Sequence, residues 1–377
     1  MTTALCKRGG RTPMKKFALL LAVFATILVG CGKTEVKPEQ STVKVGMVTD
    51  ITGIDDKSFS EITWKGVSEF ADEHEEVEAQ YLTPKDNTLP TLVSAVDNLV
   101  LSGNEVIVLT GFVFEETAGA VAKMYPNVKF VLIDGQPLVD GEYKSYDNVV
   151  SIYFNEHESA FLTGVASALE TETGKLGFIG GIANEAVKKF GWGYVAGVAY
   201  ANQTYNTNAH VVDYVYSGSF SDVSMGQSLA GGMFDKGIDT IMHAAGGVGV
   251  GAMTEAKTRG DVKIVGVDVD QYHEGLLNDG SSIILTSAMK NIDVAVKEHL
   301  GYYLNDEFKG GQVFTLGITD NGVGIPSENP NLSDDTIAKV EETMKQVKDG
   351  AVAVPSSLED LHWFLNDYGY SVDGVAY

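Results

Sequence analysis

Short apolar runs rich in β-branched residues alternate with segments of helical periodicity through most of this 377-residue chain. The runs that predict strands are VKVGMVT, VIVLTG, KFVLIDG, NVVSIYF, KLGFIGG, HVVDYVY, DTIMHAA, VKIVGVDV and SIILTSA. Because these runs are apolar throughout, they indicate parallel sheets covered by helices on both faces. A chain of this length with this alternation predicts two doubly wound, Rossmann-like α/β lobes joined by a hinge.

The segments between the runs have the spacing of amphipathic helices. Residues 88–102 place their apolar side chains on one helical face, at Leu89, Leu92, Val93, Val96, Leu99 and Val100. The same spacing predicts helices over 157–170, 187–202, 223–236 and 290–304. A faint repeat supports two similar lobes, because Thr110 and Asp134 end consecutive runs at the same spacing as Ala244 and Asp268.

The amino-terminal region predicts a secretory signal over residues 1–30. Lys15 and Lys16 precede the apolar run FALLLAVFATILV, which is too short to span a bilayer. Residues 1–13 are basic and poor in apolar side chains, so we expect translation to start at Met14.

The sequence LVGC, ending at Cys31, resembles the lipobox of bacterial lipoproteins. That resemblance implies cleavage before Cys31 and a lipid on its sulfur, on the extracytoplasmic face of the cell membrane. The alternative is an ordinary signal peptide that happens to contain a cysteine. The polar residues 32–42 suit a flexible tether between lipid and domain.

Charge and cysteine content exclude several classes of function. The chain has 51 acidic and 27 basic residues, a net charge of −24, and five of the basic residues lie in the predicted signal. Such a chain repels nucleic acid and anionic lipid, so we expect no nucleic-acid partner and membrane attachment through the lipid alone. The two cysteines are Cys6 and Cys31, which leaves the mature domain without a disulfide or a cysteine nucleophile.

Motifs for catalysis or for metal binding are missing from the sequence. The seven histidines form no H-x-x-x-H or H-E-x-x-H spacing, and no serine lies in G-x-S-x-G. The glycine run AAGGVGVGA (residues 244–252) is either a structural turn or a helix N-terminus whose backbone approaches a ligand. We therefore expect no metal, no cofactor and no enzymatic activity.

Polar or glycine residues follow the predicted strands at their carboxyl ends. They are Asp50, Gly111, Asp134, Gly180, Gly246 and Asp268. Ligands of open α/β sheets bind beyond these ends. Two facing lobes would line one cleft with them, as in a solute-binding protein that closes on its ligand.

The segment TDITGIDDKSFSEITWKGV (residues 49–67) connects the first strand to a helix. Ser58 and Glu61 have the spacing of a capping box, which places Phe59 in the first helical turn. Phe59 is then either a core residue or a ring that stacks on a ligand. Asp50 ends the strand and would face the cleft, whereas Asp55 and Asp56 read as dipole partners of the helix or as solvated turn residues.

This segment resembles the start of the basic membrane lipoprotein family, purine-nucleoside receptors of ABC transporters with the type I periplasmic-binding fold. Further similarities follow in order to about residue 293: FVLIDG, NVVSIYFNEHESAFLTGVASA, GKLGFIGGI, KKFGWGYVAGV, HAAGGVGVG, GVDVDQ and TSAMKNID. The resemblance implies a monomeric receptor that captures inosine, guanosine or adenosine and delivers it to a permease.

The resemblance also implies roles for individual residues. Phe59 and Phe190 would sandwich the purine, and Asp50 would bind the polar edge of the base, with Lys57 or Ser58 nearby. The ribose hydroxyls would bind a second group: Asp134, Asp268, Lys290 and the backbone of Gly246 and Gly247. Members of the family commonly have asparagine at position 57. Because lysine only donates, Lys57 would favour a base with an acceptor, such as a 6-oxo purine, or would point to solvent.

We predict lobe boundaries from the same pattern. The first lobe would comprise residues 43–153 and 287–310, and the second residues 154–286 and 311–377. The crossings would fall near 152–156, 284–290 and 310–326.

Three other functions remain open. They are the same fold binding a sugar or a sugar-derived signal, a surface adhesin with an idle pocket, and a nucleoside hydrolase.

Overall fold

The computed structural model describes residues 42–371, and the predicted signal, Cys31 and nearly all of the tether lie outside this range. Its strands are β1 (Val43–Val48), β2 (Val77–Leu82), β3 (Val106–Thr110), β4 (Lys129–Ile133), β5 (Leu138–Val139), β6 (Glu142–Tyr143), β7 (Val149–Phe154), β8 (Lys175–Gly180), β9 (His210–Tyr216), β10 (Thr240–Ala244), β11 (Lys263–Asp268), β12 (Ile284–Lys290), β13 (Val313–Leu316) and β14 (Val323–Gly324). Its α-helices are α1 (Phe59–Glu73), α2 (Leu89–Leu101), α3 (Glu115–Met124), α4 (Glu156–Glu170), α5 (Glu185–Tyr205), α6 (Val223–Asp235), α7 (Gly247–Arg259), α8 (Ile292–Leu304), α9 (Asp334–Lys348) and α10 (Leu358–Asp367).

Two six-stranded sheets form the centres of two lobes. The first sheet has the order β13-β7-β4-β3-β1-β2, and the second has the order β14-β12-β11-β10-β8-β9. The central strands pair in parallel and are buried along their length, as β3 and β10 are at every residue. The predicted α/β class with two doubly wound lobes is therefore confirmed, because continuous apolar runs require cover on both faces.

Sequence reasoning missed three strands at the sheet edges, β2, β13 and β14, and the two-residue strands β5 and β6 of a separate sheet. β2 carries the sequence VEAQYL and is fully buried at Val77 alone, so its composition resembles that of a loop. β13 and β14 have four and two residues, too few for a periodic signal. Edge strands need only part of their surface covered, and their polar composition follows from that exposure.

The chain passes between the two lobes three times. The crossings lie at Asn155 between β7 and α4, at Asn291 between β12 and α8, and after Leu316 at the end of β13. At the second crossing, Asn291 Nδ2 donates to the carbonyl of Asn321 at 2.6 Å, which ties it to the third.

Two predicted lobe boundaries are displaced by a few residues. Residues 287–290 were expected in the first lobe, but β12 pairs with β11 as far as Met289 and so belongs to the second. Residues 311–316 were expected in the second lobe, but β13 pairs with β7 from Val313 to Leu316. The short apolar stretch VFTL carried too little pattern to reveal this return strand.

No helix within residues 42–371 combines the length and the apolar content that crossing a bilayer requires.

Candidate ligand-binding site

A cavity of about 570 Å³ lies at the carboxyl ends of the parallel strands of both sheets. This volume is within the range of small-molecule sites. Eight of the ten residues that sequence reasoning proposed for ligand binding line it: Asp50, Ser58, Phe59, Asp134, Phe190, Gly246, Asp268 and Lys290. Their convergence follows from topology, because the carboxyl ends of parallel strands meet at one edge of each sheet.

Lys290 is the cation at the centre of the cavity wall. Its side chain is 1% exposed, its Nζ donates to Asp134 Oδ2, and it donates to Glu156 Oε1 at 3.0 Å. Burial lowers the pKa of Lys290, but Asp134, Glu156 and Asp268 together outweigh that effect and raise it. Lys290 therefore stays charged and holds carboxyl groups of both lobes around one ammonium group.

The carboxyl groups of the cavity are perturbed mainly by loss of water. Burial raises the pKa of Asp134 to about 7, with Lys290 opposing and Glu156 adding to the rise. Burial also raises the pKa of Asp268, against Lys290 and the Ser58 hydroxyl. Lys290 and the carboxyl groups of Asp134, Glu156 and Asp268 form an acid cluster. Within it, loss of water favours the protonated forms of Asp134 and Asp268, and Lys290 opposes this effect on their pKa values.

Asp134 and Asp268 occupy equivalent positions in the two lobes. Asp134 follows the buried strand β4, and Asp268 ends β11. Both have a positive φ, of 50° and 63°, in a region that costs free energy for any residue with a Cβ. The same uncommon backbone turn thus aims a carboxyl group into the cavity from each sheet.

The turn before α1 is capped differently from the predicted capping box. Asp56 accepts hydrogen bonds from the backbone N–H groups of Ser58 at 3.2 Å, Ser60 at 2.8 Å and Glu61 at 3.0 Å. The Ser58 hydroxyl instead donates to Asp268 Oδ2 in the other lobe. The expectation that Ser58 caps the helix was wrong, because Asp56 supplies the cap. Of the two alternatives for Asp56, a partner of the helix dipole is correct and a solvated turn residue is not, since Asp56 is 8% exposed.

Asp50 lines the cavity and also accepts hydrogen bonds within its own turn. Its Oδ1 accepts hydrogen bonds from the backbone N–H of Thr52 at 2.9 Å and from the Thr52 hydroxyl. Burial raises the pKa of Asp50, and these two Thr52 contacts lower it in part. The carboxyl group is therefore held in a fixed orientation at the end of β1.

The two aromatic rings that sequence reasoning proposed, Phe59 and Phe190, line the cavity from opposite lobes, and Phe112, Tyr143, Tyr153 and Phe220 also line it. Phe59 opens α1 of the first lobe and is half-buried, and Phe190 lies in the second turn of α5 and is 3% exposed. Their ring centroids lie 5.2 and 5.9 Å from Lys290 Nζ. Gly111 lies against Phe59, since an added Cβ would stand 3.4 Å from Cε1 of the ring.

Lys57 and Gly247 lie outside the cavity lining. The Lys57 side chain is 38% exposed, with Nζ 3.5 Å from Glu61 Oε2, so it points to solvent. The backbone N–H of Gly247 donates to the Phe220 carbonyl at 2.7 Å and is already used within the fold. The backbone carbonyl of Lys57 accepts a hydrogen bond from Gln271 Nε2 of the second lobe at 2.7 Å.

Sequence reasoning missed Glu156. This residue begins α4, lines the cavity and is 1% exposed. An acidic residue two positions after the predicted strand NVVSIYF was a usable signal, of the same kind that identified Asp50. No cluster of three or more His, Cys, Asp or Glu side chains among the described residues could hold a metal ion.

The chain resembles known proteins over nearly its whole described length. The family model "Bmp: ABC transporter substrate-binding protein PnrA-like" matches residues 43–357. The CD4+ T-cell-stimulating antigen of Listeria monocytogenes is 33% identical, with 91% of this chain and 99% of the relative covered. The ABC transporter nucleoside-binding protein BmpA of Lactococcus lactis is 30% identical, with 91% of this chain and 100% of the relative covered.

A solved structure agrees with these relatives. An ABC transporter solute-binding protein from Aeropyrum pernix superposes with a TM-score of 0.71 at 26% identity, over 87% of this chain and 97% of that one. The match of the family model, the relatives and the two-lobed fold lead to the same assignment. The chain belongs to the Bmp family of ABC transporter substrate-binding proteins.

Proposed function

We propose that the chain captures a purine nucleoside in its interlobe cavity and delivers it to the permease of an ABC importer. The observation that carries this proposal is the composition of the cavity wall. Phe59 and Phe190 supply flat apolar surface from both lobes, and the acid cluster around Lys290 supplies acceptors for hydroxyl groups. A purine base stacks on flat apolar surface, and the hydroxyl groups of a sugar need hydrogen-bond acceptors.

Residue roles follow from the chemistry of the ligand. The base stacks between Phe59 and Phe190, with Asp50 accepting from its polar edge. The ribose hydroxyls bind Asp134 and Asp268, with Lys290 donating to a ribose oxygen. Ser58 and the Gly246 backbone complete the wall. Inosine, guanosine and adenosine are the candidate ligands, and the exposed Lys57 side chain does not choose between them.

The relative from Lactococcus lactis supports the nucleoside assignment, because its name describes a nucleoside-binding protein and the chain covers all of it. The protein acts as a monomer without a cofactor, and it does no chemistry on the ligand. A lipid on Cys31 anchors it to the extracytoplasmic face of the cell membrane, where it meets the permease. The acidic surface needs this anchor, because it has no affinity of its own for anionic lipid.

Isothermal titration calorimetry tests this function. The full chain is purified in detergent, unfolded to remove co-purified ligand and refolded, and then titrated with guanosine, inosine, adenosine, cytidine, hypoxanthine and ribose. We expect saturable binding of the purine nucleosides, with hypoxanthine and ribose alone far weaker. Binding of ribose or other sugars without nucleosides would keep the fold and overturn the ligand. Absence of binding for every compound would favour an adhesin, and release of free base from inosine would reveal a hydrolase.

A further inference from the structure

Two buried carboxylate oxygens on the cavity wall lack a hydrogen-bond donor. Among residues 42–371, nothing donates to Asp134 Oδ1 or to Glu156 Oε2. Lys189 Nζ lies 3.7 Å from Glu156 Oε2, which is beyond hydrogen-bond distance. Buried carboxylate oxygens without partners are costly and uncommon, so each requires an explanation. Because both residues line the cavity, a ligand is the natural source of the missing donors.

The orientation of Glu156 is fixed by the fold. It is the first residue of α4, directly after the crossing at Asn155, and its side chain is 2% exposed. Its Oε1 accepts from Lys290 Nζ at 3.0 Å, which leaves Oε2 as the oxygen without a donor. Lys290 is itself the last residue of β12, directly before the crossing at Asn291. The carboxyl group is thus held between two of the three connections of the lobes.

Lys290 also brings the carboxyl groups of Asp134 and Glu156 together. One ammonium group binds both Asp134 Oδ2 and Glu156 Oε1, so the two carboxyl groups flank it on neighbouring sides. Each presents its second oxygen as an acceptor. A ligand with two adjacent hydroxyl groups supplies two donors, one for each of these oxygens, whereas a ligand with one hydroxyl leaves a carboxylate oxygen without a donor.

We infer that Glu156 is a ligand-binding residue that selects for a vicinal diol. Its Oε2 accepts a hydrogen bond from one ribose hydroxyl, and Asp134 Oδ1 accepts from the neighbouring hydroxyl. The site therefore distinguishes ribonucleosides from deoxyribonucleosides. This inference rests on the proposed function and adds to it a residue outside the set that the family resemblance implied.

The selection has a physical cause. A deoxyribonucleoside would bury one of the two carboxylate oxygens without a donor, and a hydrogen bond to a charged group is worth enough to change affinity by about tenfold or more. Replacement of Glu156 removes the acceptor for the hydroxyl group, and it also removes the cost of burying that acceptor without a donor. Wild type and variant should then differ in their ratio of affinities for ribo and deoxy ligands.

Calorimetric titration of the full chain with guanosine, 2′-deoxyguanosine and 3′-deoxyguanosine at about pH 8, above the raised pKa of Asp134, tests this inference with that acceptor ionised. Glu156→Leu keeps the side-chain bulk without an acceptor, and Glu170→Gln, at the far end of the same helix, is the matched control. We expect wild type and Glu170→Gln to prefer guanosine over both analogues about tenfold or more. In Glu156→Leu, the preference over one analogue should fall toward unity.

The other outcomes are distinguishable. An unchanged preference in a folded Glu156→Leu protein overturns the role of Glu156, as does a wild type without any preference over either analogue. Failure of the wild type to bind guanosine refutes the proposed function instead. If thermal melting shows that Glu156→Leu does not fold, Glu156→Gln takes its place. The preference of Glu156→Gln for guanosine over one analogue should fall at least about threefold, because a single amide oxygen remains as acceptor for both Lys290 Nζ and the ligand hydroxyl. An unchanged preference would overturn the inference.

Discussion

Lys290 binds carboxyl groups from two different parts of the fold with one ammonium group. Asp134 follows a strand of the first lobe, and Glu156 begins the first helix of the second. Burial of a carboxylate costs free energy, and Lys290 offsets that cost for Asp134 only in part. The stability of the fold should therefore depend on pH through Asp134.

The pH dependence of stability should change when Asp134 is replaced by Asn. The folded protein holds the Asp134 proton up to about pH 7, whereas the unfolded chain releases it near the ordinary pKa of 3.8. The folded state thus binds more protons between these values, and the free energy of unfolding contributed by Asp134 falls as pH rises from about 4 to 7. The slope is at most about 1.4 kcal/mol per pH unit.

Urea unfolding of wild type and Asp134→Asn at several pH values measures this contribution as a difference. The comparison is needed because buried His157 and His243, whose pKa values burial lowers to about 4, give the opposite slope in both proteins. Wild type minus variant should decline from about pH 4 to pH 7 and then level off. A difference that is flat or rises over this window contradicts the prediction.

The rings of Phe59 and Phe190 should contribute to base binding and not to sugar binding. Phe59→Leu and Phe190→Leu keep apolar bulk but lose the flat face. Each should weaken guanosine binding about five- to a hundredfold, since stacking of a base on an aromatic ring is worth roughly 1–3 kcal/mol. Calorimetry on both variants measures this loss.

Phe308→Leu is the control for these substitutions. Phe308 packs on the first lobe, 5.4 Å from Lys129 Nζ to the ring centroid, and is not part of the cavity lining. It should leave guanosine affinity unchanged. Equal losses in all three variants would indicate a general effect on folding rather than stacking.

At the scale of elements, the turn between β1 and α1 joins capping to ligand binding. Asp56 receives three backbone N–H groups of the turn and first helical residues, and burial raises its pKa to about 6 even though these contacts lower it. Phe59 is the first residue of the helix so capped. The position of the Phe59 ring therefore depends on the carboxyl group that caps its helix.

Asp56→Ala and Ser58→Ala should separate the two roles of this turn. Asp56→Ala should cost about 1–2 kcal/mol in the free energy of unfolding, the usual range for loss of a helix cap. Ser58→Ala removes the hydroxyl that contacts Asp268 and leaves the cap intact, so its cost should be smaller. Urea unfolding at pH 7.5 measures both, and an equal or larger cost for Ser58→Ala would contradict this assignment.

Sequence reasoning succeeded for elements that are buried on both faces. Runs such as VIVLT of β3 predicted central strands, and the residues after them located the cavity, because strand ends and sites coincide in parallel sheets. The direction of the Lys57 side chain could not be predicted, because Lys57 lies in a turn with a φ of 58°, where the sequence has no periodic pattern. Ser58 likewise matched the spacing of a capping box, but Asp56 supplies the helix cap instead.

At the scale of the molecule, the lobes touch through the loop that precedes α1. Gln271 Nε2 donates to the Lys57 carbonyl, and the Ser58 hydroxyl donates to Asp268. Gln271 is itself fixed, since its Oε1 accepts from the backbone N–H of Val267 at 3.0 Å and lies 3.1 Å from His243 Nε2. These contacts join residues far apart in sequence and hold the lobes together around the cavity.

Gln271→Leu should shift the lobes toward an open arrangement. Loss of one interlobe hydrogen bond is worth about 0.5–1.5 kcal/mol, which predicts a two- to tenfold weaker affinity for guanosine. Small-angle scattering of the full chain without ligand should give a larger radius of gyration for the variant than for wild type. Gln227→Leu on α6, away from this contact, is the control. An equal radius of gyration in all three proteins would contradict the prediction that the hydrogen bond between Gln271 and Lys57 holds the lobes together.

The acidic lining of the cavity has a consequence for the supply of ligand. Among the residues that line it, seven carry carboxyl groups and two, Lys189 and Lys290, carry ammonium groups. A phosphate group brought into this wall would meet like charge at low dielectric. Under the proposed function, a nucleotide released by decaying cells is therefore no substrate for uptake here. Under that function, the acidic lining makes removal of the phosphate a condition for capture, so a nucleoside 5′-monophosphate should bind far more weakly than the free nucleoside.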